Sequence, residues 1–80
     1  MFESGLQSQL NEYRVVQNWT KVAGDVARKC TKEVYLKTGV LHVRITSAAV
    51  RSELMMRRRQ LISALNRSVD SQVVTDIHFL

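Results

Sequence analysis

Residues 33–46, EVYLKTGVLHVRIT, carry the strongest structural signal in this 80-residue chain. Apolar and polar side chains alternate on both sides of Thr38 and Gly39, as they do in strands that bury one face. Because glycine readily adopts positive φ, the two-residue connection predicts a tight antiparallel hairpin. Its buried face would carry Val34, Leu36, Leu41, Val43 and Ile45, and its open face Tyr35, Lys37, His42 and Arg44.

The first thirty residues predict a helix. Ser4 with Gln7 fits a capping box near its start. Apolar residues then recur at helical spacing, with Val22 and Val26 widening the stripe: Leu6, Leu10, Tyr13, Val16, Trp19, Ala23, Ala27 and Cys30. Gly24 interrupts this pattern at a cost of about 1 kcal/mol relative to alanine. We interpret it as a close packing contact with a neighbouring element.

After the hairpin, residues 47–66, SAAVRSELMMRRRQLISALN, predict a second helix with Ser47 as its N-cap. It would bury Val50, Leu54, Leu61, Ile62 and Leu65, with one of Met55 and Met56 completing the core.

Beyond the polar loop 68–72, residues 73–80 alternate again and predict a third strand with Val73, Ile77 and Phe79 in the core. Its direction stays open, because the connection through the helix permits parallel or antiparallel pairing.

The resulting fold is α+β, in the order helix, strand, strand, helix, strand, with a three-stranded sheet packed on two helices. The polar outer face of the hairpin implies that the helices cover only the inner face. The chain has no proline, linker or internal repeat, so we expect a single domain spanning residues 1–80.

The composition excludes several classes of protein. A lone cysteine, Cys30, cannot form an intramolecular disulfide and cannot assemble a four-ligand zinc site. No apolar run reaches the roughly 20 residues of a membrane span, and the amino terminus does not resemble a leader. We therefore expect a cytoplasmic protein without a metal or other cofactor.

The residues do not predict an enzyme. His42 and His78 could share the open sheet face, but no carboxylate or cysteine is suitably spaced around them. Cys30 falls on the apolar stripe, where a free cysteine behaves as a small hydrophobe. The three glycines form no phosphate-binding loop.

Positive charge is the main functional signal. The net charge is +5, and the stretch from Arg44 to Arg67 holds six arginines against one acid, Glu53. Arginine forks fit phosphate bidentately, so this pattern favours nucleic acid over a merely solvated surface. Arg51 and Arg58 would align as a ridge on one helix. The candidate contact residues are Arg51, Arg57, Arg58 and Arg59, supported by Lys21, Arg28, Lys29, Lys37 and Arg44.

Tyr35 is a further candidate. It would lie on the open sheet face among Lys37, His42 and Arg44, as an aromatic ring does in a stacking platform for single strands. An ordinary exposed sheet face has the same pattern, so both interpretations stay open.

An ordered set of residues spans nearly the whole chain: Trp19, Val22, Gly24, Thr31, Gly39, Val40, Leu41, Val43, Ser47, Glu53, Leu54, Leu61, Ile62, Leu65, Asn66, Ile77 and Phe79. In this combination the sequence resembles the DciA family. The resemblance implies a bacterial protein that assists the replicative helicase through a small, DNA-binding, KH-like domain. The sequence departs from that pattern at Val50, where many members have tryptophan, and it contains no KH-type GxxG clamp.

Residues and resemblance together predict a non-catalytic nucleic-acid-binding accessory in bacterial DNA replication, acting in helicase recruitment or loading. DNA is the favoured ligand. The alternatives are an RNA-binding protein, or a protein-interaction module that docks its basic helix on an acidic partner surface.

Overall fold

The computed structural model describes the backbone of residues 2–80 and the side chains of residues 10–80. The chain forms, in order, α1 (Phe2–Ala23), α2 (Asp25–Cys30), β1 (Thr31–Lys37), β2 (Val40–Ile45), α3 (Ala48–Met56), α4 (Arg58–Ser68) and β3 (Asp76–Phe79). The predicted α+β class and element order are confirmed, with each predicted helix divided into two segments. The expected capping box of Ser4 and Gln7 lies outside the described side chains.

The sheet has the strand order β1-β2-β3. β1 and β2 form the predicted antiparallel hairpin, in which Thr38 and Gly39 both have positive φ, at 48° and 82°. Such a turn matches the right-handed twist of the paired strands. β3 runs parallel to β2, with Val40 opposite Asp76. The open question of its direction is therefore settled in favour of a mixed sheet.

The helices cover one face of this sheet, where alternate strand residues meet the apolar sides of α1, α3 and α4. The core is apolar, and its largest fully buried side chains are Trp19, Leu41, Leu61, Leu65, Ile77, Val15 and Val43. Val50, Ile62, Val73 and Phe79 pack against it as predicted, while Val74 is more deeply buried than Val73.

The buried side of α1 differs from the predicted stripe. It follows Val15, Trp19 and Ala23 at four-residue spacing. Tyr13 lies two residues before Val15, hence almost opposite it around the helix. Tyr13 is therefore exposed, and so are Leu10 on α1 and Val26 on α2, so the assignment of these three residues to the core was wrong.

Gly24 separates α1 from α2 because of its backbone conformation. Its φ of 99° and ψ of 173° belong to a region that is essentially restricted to glycine. A Cβ atom at this position would meet no atom within 4 Å. The predicted close packing contact is therefore wrong, and the glycine instead permits the backbone conformation that ends α1 and starts α2.

Replacing Gly24 with alanine should lower the free energy of unfolding by about 1–3 kcal/mol through backbone strain alone. Urea denaturation followed by circular dichroism measures this loss. A D-alanine introduced at position 24 by chemical synthesis is the matched control, because its preferred φ is positive. Equal losses for both stereoisomers would show that the added methyl group, and not the conformation, is responsible.

The second predicted helix breaks at Arg57, which ends α3 and precedes α4. Its start is as predicted, with Ser47 Oγ accepting a hydrogen bond from the Val50 amide at 3.3 Å. Because of the break, Arg51 and Arg58 do not continue one helical surface, and the predicted ridge of these two side chains is wrong. Within residues 2–80 no helix is long and apolar enough to cross a membrane.

Candidate nucleic-acid interface

The candidate basic residues fall into two groups at opposite ends of the sheet. The hairpin end is the row formed by Lys37, Val40 and Asp76. At the far end Thr31 pairs with Ile45, whose amide donates to the Leu80 carbonyl at 3.0 Å. Lys37 and Arg58 belong to the hairpin end, and Arg57 and Arg59 flank Arg58 in the chain. The far end holds Arg28, Lys29, Arg44 and Arg51, with Lys21 in the last turn of α1.

The junction between α3 and α4 presents three consecutive exposed arginines, Arg57, Arg58 and Arg59. Arg58 Nε lies 3.6 Å from Asp76 Oδ1, with both side chains about half exposed. Among residues 10–80, Arg57 and Arg59 have no ion-pair partner. No side chain caps the N-terminus of α4, so its first amides leave a partial positive charge beside these arginines. The junction contains no glycine, consistent with the missing GxxG clamp.

Arg51 is half-buried at the far end of the sheet. Its Nη1 atom donates to the carbonyl oxygens of Ile45 at 3.5 Å and Leu80 at 3.4 Å. These long contacts hold its guanidinium over the ends of β2 and β3. The side chain is therefore engaged with the fold and less free to reach a phosphate than Arg57 or Arg59.

Two further candidates at the far end form surface ion pairs. Arg44 Nε lies 3.6 Å from Glu33 Oε1 across the hairpin, and Arg28 Nε lies 3.7 Å from Asp25 Oδ1 within α2. Such exposed pairs contribute about 0–1 kcal/mol, so an anionic ligand can compete for either arginine. Lys21, Lys29 and Lys37 are exposed and have no ion-pair partner within the side chains that the structure describes.

A row of three rings crosses the open face of the sheet. Tyr35, His42 and His78 occupy the same register on β1, β2 and β3. The rings of Tyr35 and His42 are stacked, with centroids 4.8 Å apart and planes 10° apart. His78 meets His42 edge-on at 5.6 Å. The structure thus places Tyr35 on the open face as predicted, and it shows that His42 and His78 do share this face.

Both methionines of the α3–α4 junction are exposed. Met55 and Met56 have 53% and 88% of their surface accessible, so the expectation that one completes the core is wrong. Leu54 fills the inward position of the last α3 turn, and Met55 and Met56 follow it at about 100° and 200° around the helix, which turns them away from the core. Two exposed apolar side chains therefore stand next to three arginines.

Sequence reasoning missed a cleft of about 550 Å³ between α4 and the loop that follows it. Its polar lining includes Arg59, Ser63, Arg67, Asp70 and Gln72. Spacings of four residues along α4 place the first three on one side of the helix. This four-residue spacing could have indicated a shared polar side of α4. It does not predict the conformation of the loop that follows, in which Asp70 has a φ of 53°.

The residues considered for chemistry are not brought together into a catalytic or metal site. Cys30 is half-buried against the core, away from the histidine pair on the open face. In the described part of the chain no three His, Cys, Asp or Glu side chains are grouped to hold a metal ion. The arrangement is therefore a set of cationic and aromatic surfaces.

Comparison with known families gives one result. The model of the family described as Dna[CI] antecedent, DciA matches residues 1–79. No curated protein matches the chain. The family match extends over the helices, the sheet and both groups of basic residues.

Proposed function

The chain belongs to the DciA family, and on this premise we propose that it is a non-catalytic accessory of the bacterial replicative helicase that binds DNA. The protein would act in helicase recruitment or loading in the cytoplasm. Its part would be to hold a DNA strand through the phosphates, without a cofactor. Contacts of this kind position a strand but carry little sequence information.

The α3–α4 junction is the observation that supports this proposal most. Arg57 and Arg59 are exposed and lack an acidic partner among residues 10–80, while an uncapped helix N-terminus follows directly. Backbone amides at a helix start and arginine forks are both established phosphate ligands. Lys37 and Arg58 would extend this surface at the hairpin end, and Lys21, Arg28, Lys29, Arg44 and Arg51 would supply weaker contacts at the far end.

Replacing Arg57 and Arg59 together with glutamate should weaken DNA binding by about tenfold or more at low salt, because two phosphate contacts are lost and repulsion is added. Fluorescence anisotropy with labelled single-stranded and duplex DNA at several salt concentrations measures this change. The slope of log K against log salt should fall in magnitude by about 1–2 as those contacts disappear.

The control is the double variant Arg14→Glu with Lys32→Glu, which changes the net charge equally at exposed positions outside the junction and the α4 cleft. We expect it to retain most of the affinity. If the two double variants lose affinity equally, the binding reflects net charge alone and the junction is not the site. Binding by the unmodified protein that does not respond to salt would contradict phosphate contact altogether.

A second candidate function is a protein-interaction module that docks its basic helix on an acidic partner. The exposure of Met55 and Met56 beside the arginines favours it, since apolar side chains with arginine are typical of protein interfaces. Capture of purified replicative helicase, with and without nuclease, separates the two candidates. Direct docking survives nuclease treatment, whereas an association bridged by DNA is lost.

A further inference from the structure

We propose that the open face of the sheet stacks unpaired bases of single-stranded DNA on the row of Tyr35, His42 and His78. This inference rests on the proposed function and adds a second kind of contact to it. The junction arginines would hold phosphates, while the rings would select strands whose bases are free.

The position of the rings supports stacking. β1 and β3 are the two edge strands, so Tyr35 and His78 each have a ring neighbour on one side only. Tyr35 is 41% exposed although one side of its ring lies against His42. A base stacked on the outer side of Tyr35 would extend an existing stack, and a second base could stack on His78 at the other edge. Every base has a π-face, so such contacts tolerate any sequence.

The charges around the rings favour the binding of a polyanion such as single-stranded DNA. On the open face, one row beside the rings carries Glu33 with Arg44, and the row on the other side carries Lys37 with Asp76. Each of the two acids is paired with an arginine, Glu33 with Arg44 and Asp76 with Arg58. Lys37 then remains as excess positive charge. A strand that crosses the rings would therefore meet an unpaired cation at Lys37 on one side, and on the other side its phosphates could compete with Glu33 for Arg44.

The ring row also predicts a preference for single-stranded over duplex DNA. In a duplex the faces of internal bases are stacked on one another and cannot reach a flat sheet surface. Bases of a single strand can splay outward onto aromatic side chains. We therefore expect tighter binding to single-stranded DNA than to a duplex of the same length.

The test compares oligo(dT) with an abasic oligonucleotide of equal length, which keeps the phosphates and lacks the bases. The unmodified protein should bind oligo(dT) at least about fivefold more tightly. Tyr35→Ala should remove most of this difference while leaving affinity for the abasic strand unchanged, and Tyr35→Phe should preserve it. Tyr13→Ala is the matched control, because Tyr13 is exposed on α1, away from the sheet.

The outcomes separate the two proposals. Equal binding of both strands by the unmodified protein would overturn the stacking site and leave the phosphate contacts intact. A base preference that persists in both Tyr35→Ala and His78→Ala would place the bases elsewhere and also overturn it. If neither oligonucleotide binds, the proposed DNA-binding function itself fails. Because the abasic comparison uses the unmodified protein, it does not depend on the folding of a variant.

Discussion

Replacing Trp19 with alanine is expected to lower the free energy of unfolding by about 3–5 kcal/mol, the usual cost of deleting a buried tryptophan side chain. Trp19 is completely buried, and its ring lies 6.1 Å from that of Phe79. Its Nε1 donates to Thr31 Oγ1 at 3.1 Å, and this hydroxyl donates to the Ala27 carbonyl at 2.6 Å. The indole thus joins α1 to α2, β1 and β3.

Because the single core of a domain of this size rarely supplies more than about 3–5 kcal/mol of stability, this loss should leave much of the Trp19→Ala protein unfolded at moderate temperature. Urea denaturation followed by circular dichroism is the suitable measurement, since the variant has no tryptophan fluorescence. Met56→Ala is the control, because Met56 is 88% exposed and should change stability by less than about 0.5 kcal/mol. Similar midpoints for the two variants would contradict the central position of Trp19.

The second large effect is expected at Asn66, a buried amide in α4. Its Nδ2 donates to the Val74 carbonyl at 2.9 Å, and its Oδ1 accepts from the Val74 amide at 2.7 Å. The side chain therefore pairs both backbone groups of a buried residue, as a neighbouring strand would. Asn66→Leu leaves these two groups without partners, and we expect a loss of about 2–5 kcal/mol.

Thermal and urea unfolding of Asn66→Leu would measure this loss, with Asn18→Ala as the control. Asn18 Nδ2 also donates to an α4 residue, Ser68, at 3.0 Å, but this bond is exposed to water. Its removal should cost about 0.5–1.5 kcal/mol at most. If Asn66→Leu is no less stable than Asn18→Ala, the apolar side chain has compensated for the lost pairing of Val74.

The hairpin and its two faces were predictable because their signal is local. Alternation and a glycine in a two-residue connection determine both the turn and the side on which each residue lies. The direction of β3 was not predictable, since it depends on contacts with residues far away in the chain. One such contact is the bond from the Thr75 amide to the Gly39 carbonyl, at 2.7 Å.

The helix breaks show where periodicity is insufficient. Gly24 was recognised as an interruption, but a sequence does not distinguish a glycine that packs closely from one that adopts an unusual φ. The break at Arg57 was not predictable, because arginine is a good helix former. The break there has consequences for the candidate site. It separates Arg51 at the far end of the sheet from Arg58 at the hairpin end.

The sequence shows which residues make up the basic surface, but it does not show which of them are free to contact a ligand. Counting charges identifies Arg44, Arg51 and Arg58 as readily as Arg57 and Arg59. Only the fold reveals that the first three already contact an acid or backbone carbonyls. The row of three rings likewise required the register of β3 against β2, which places His78 beside His42.

The parallel pairing of β3 also has a consequence for the order of folding. Lys37 and Val40 are separated by only the turn, so the hairpin closes a very short loop. Val40 and Asp76 lie nearly half the chain apart, and their pairing orders a far longer segment at a greater entropy cost. The hairpin can thus form early and act as a template, with the carbonyl of its turn glycine ready to receive Thr75. The last strand then joins this template after the hairpin has formed, and the ring row becomes complete only when β3 has paired with β2.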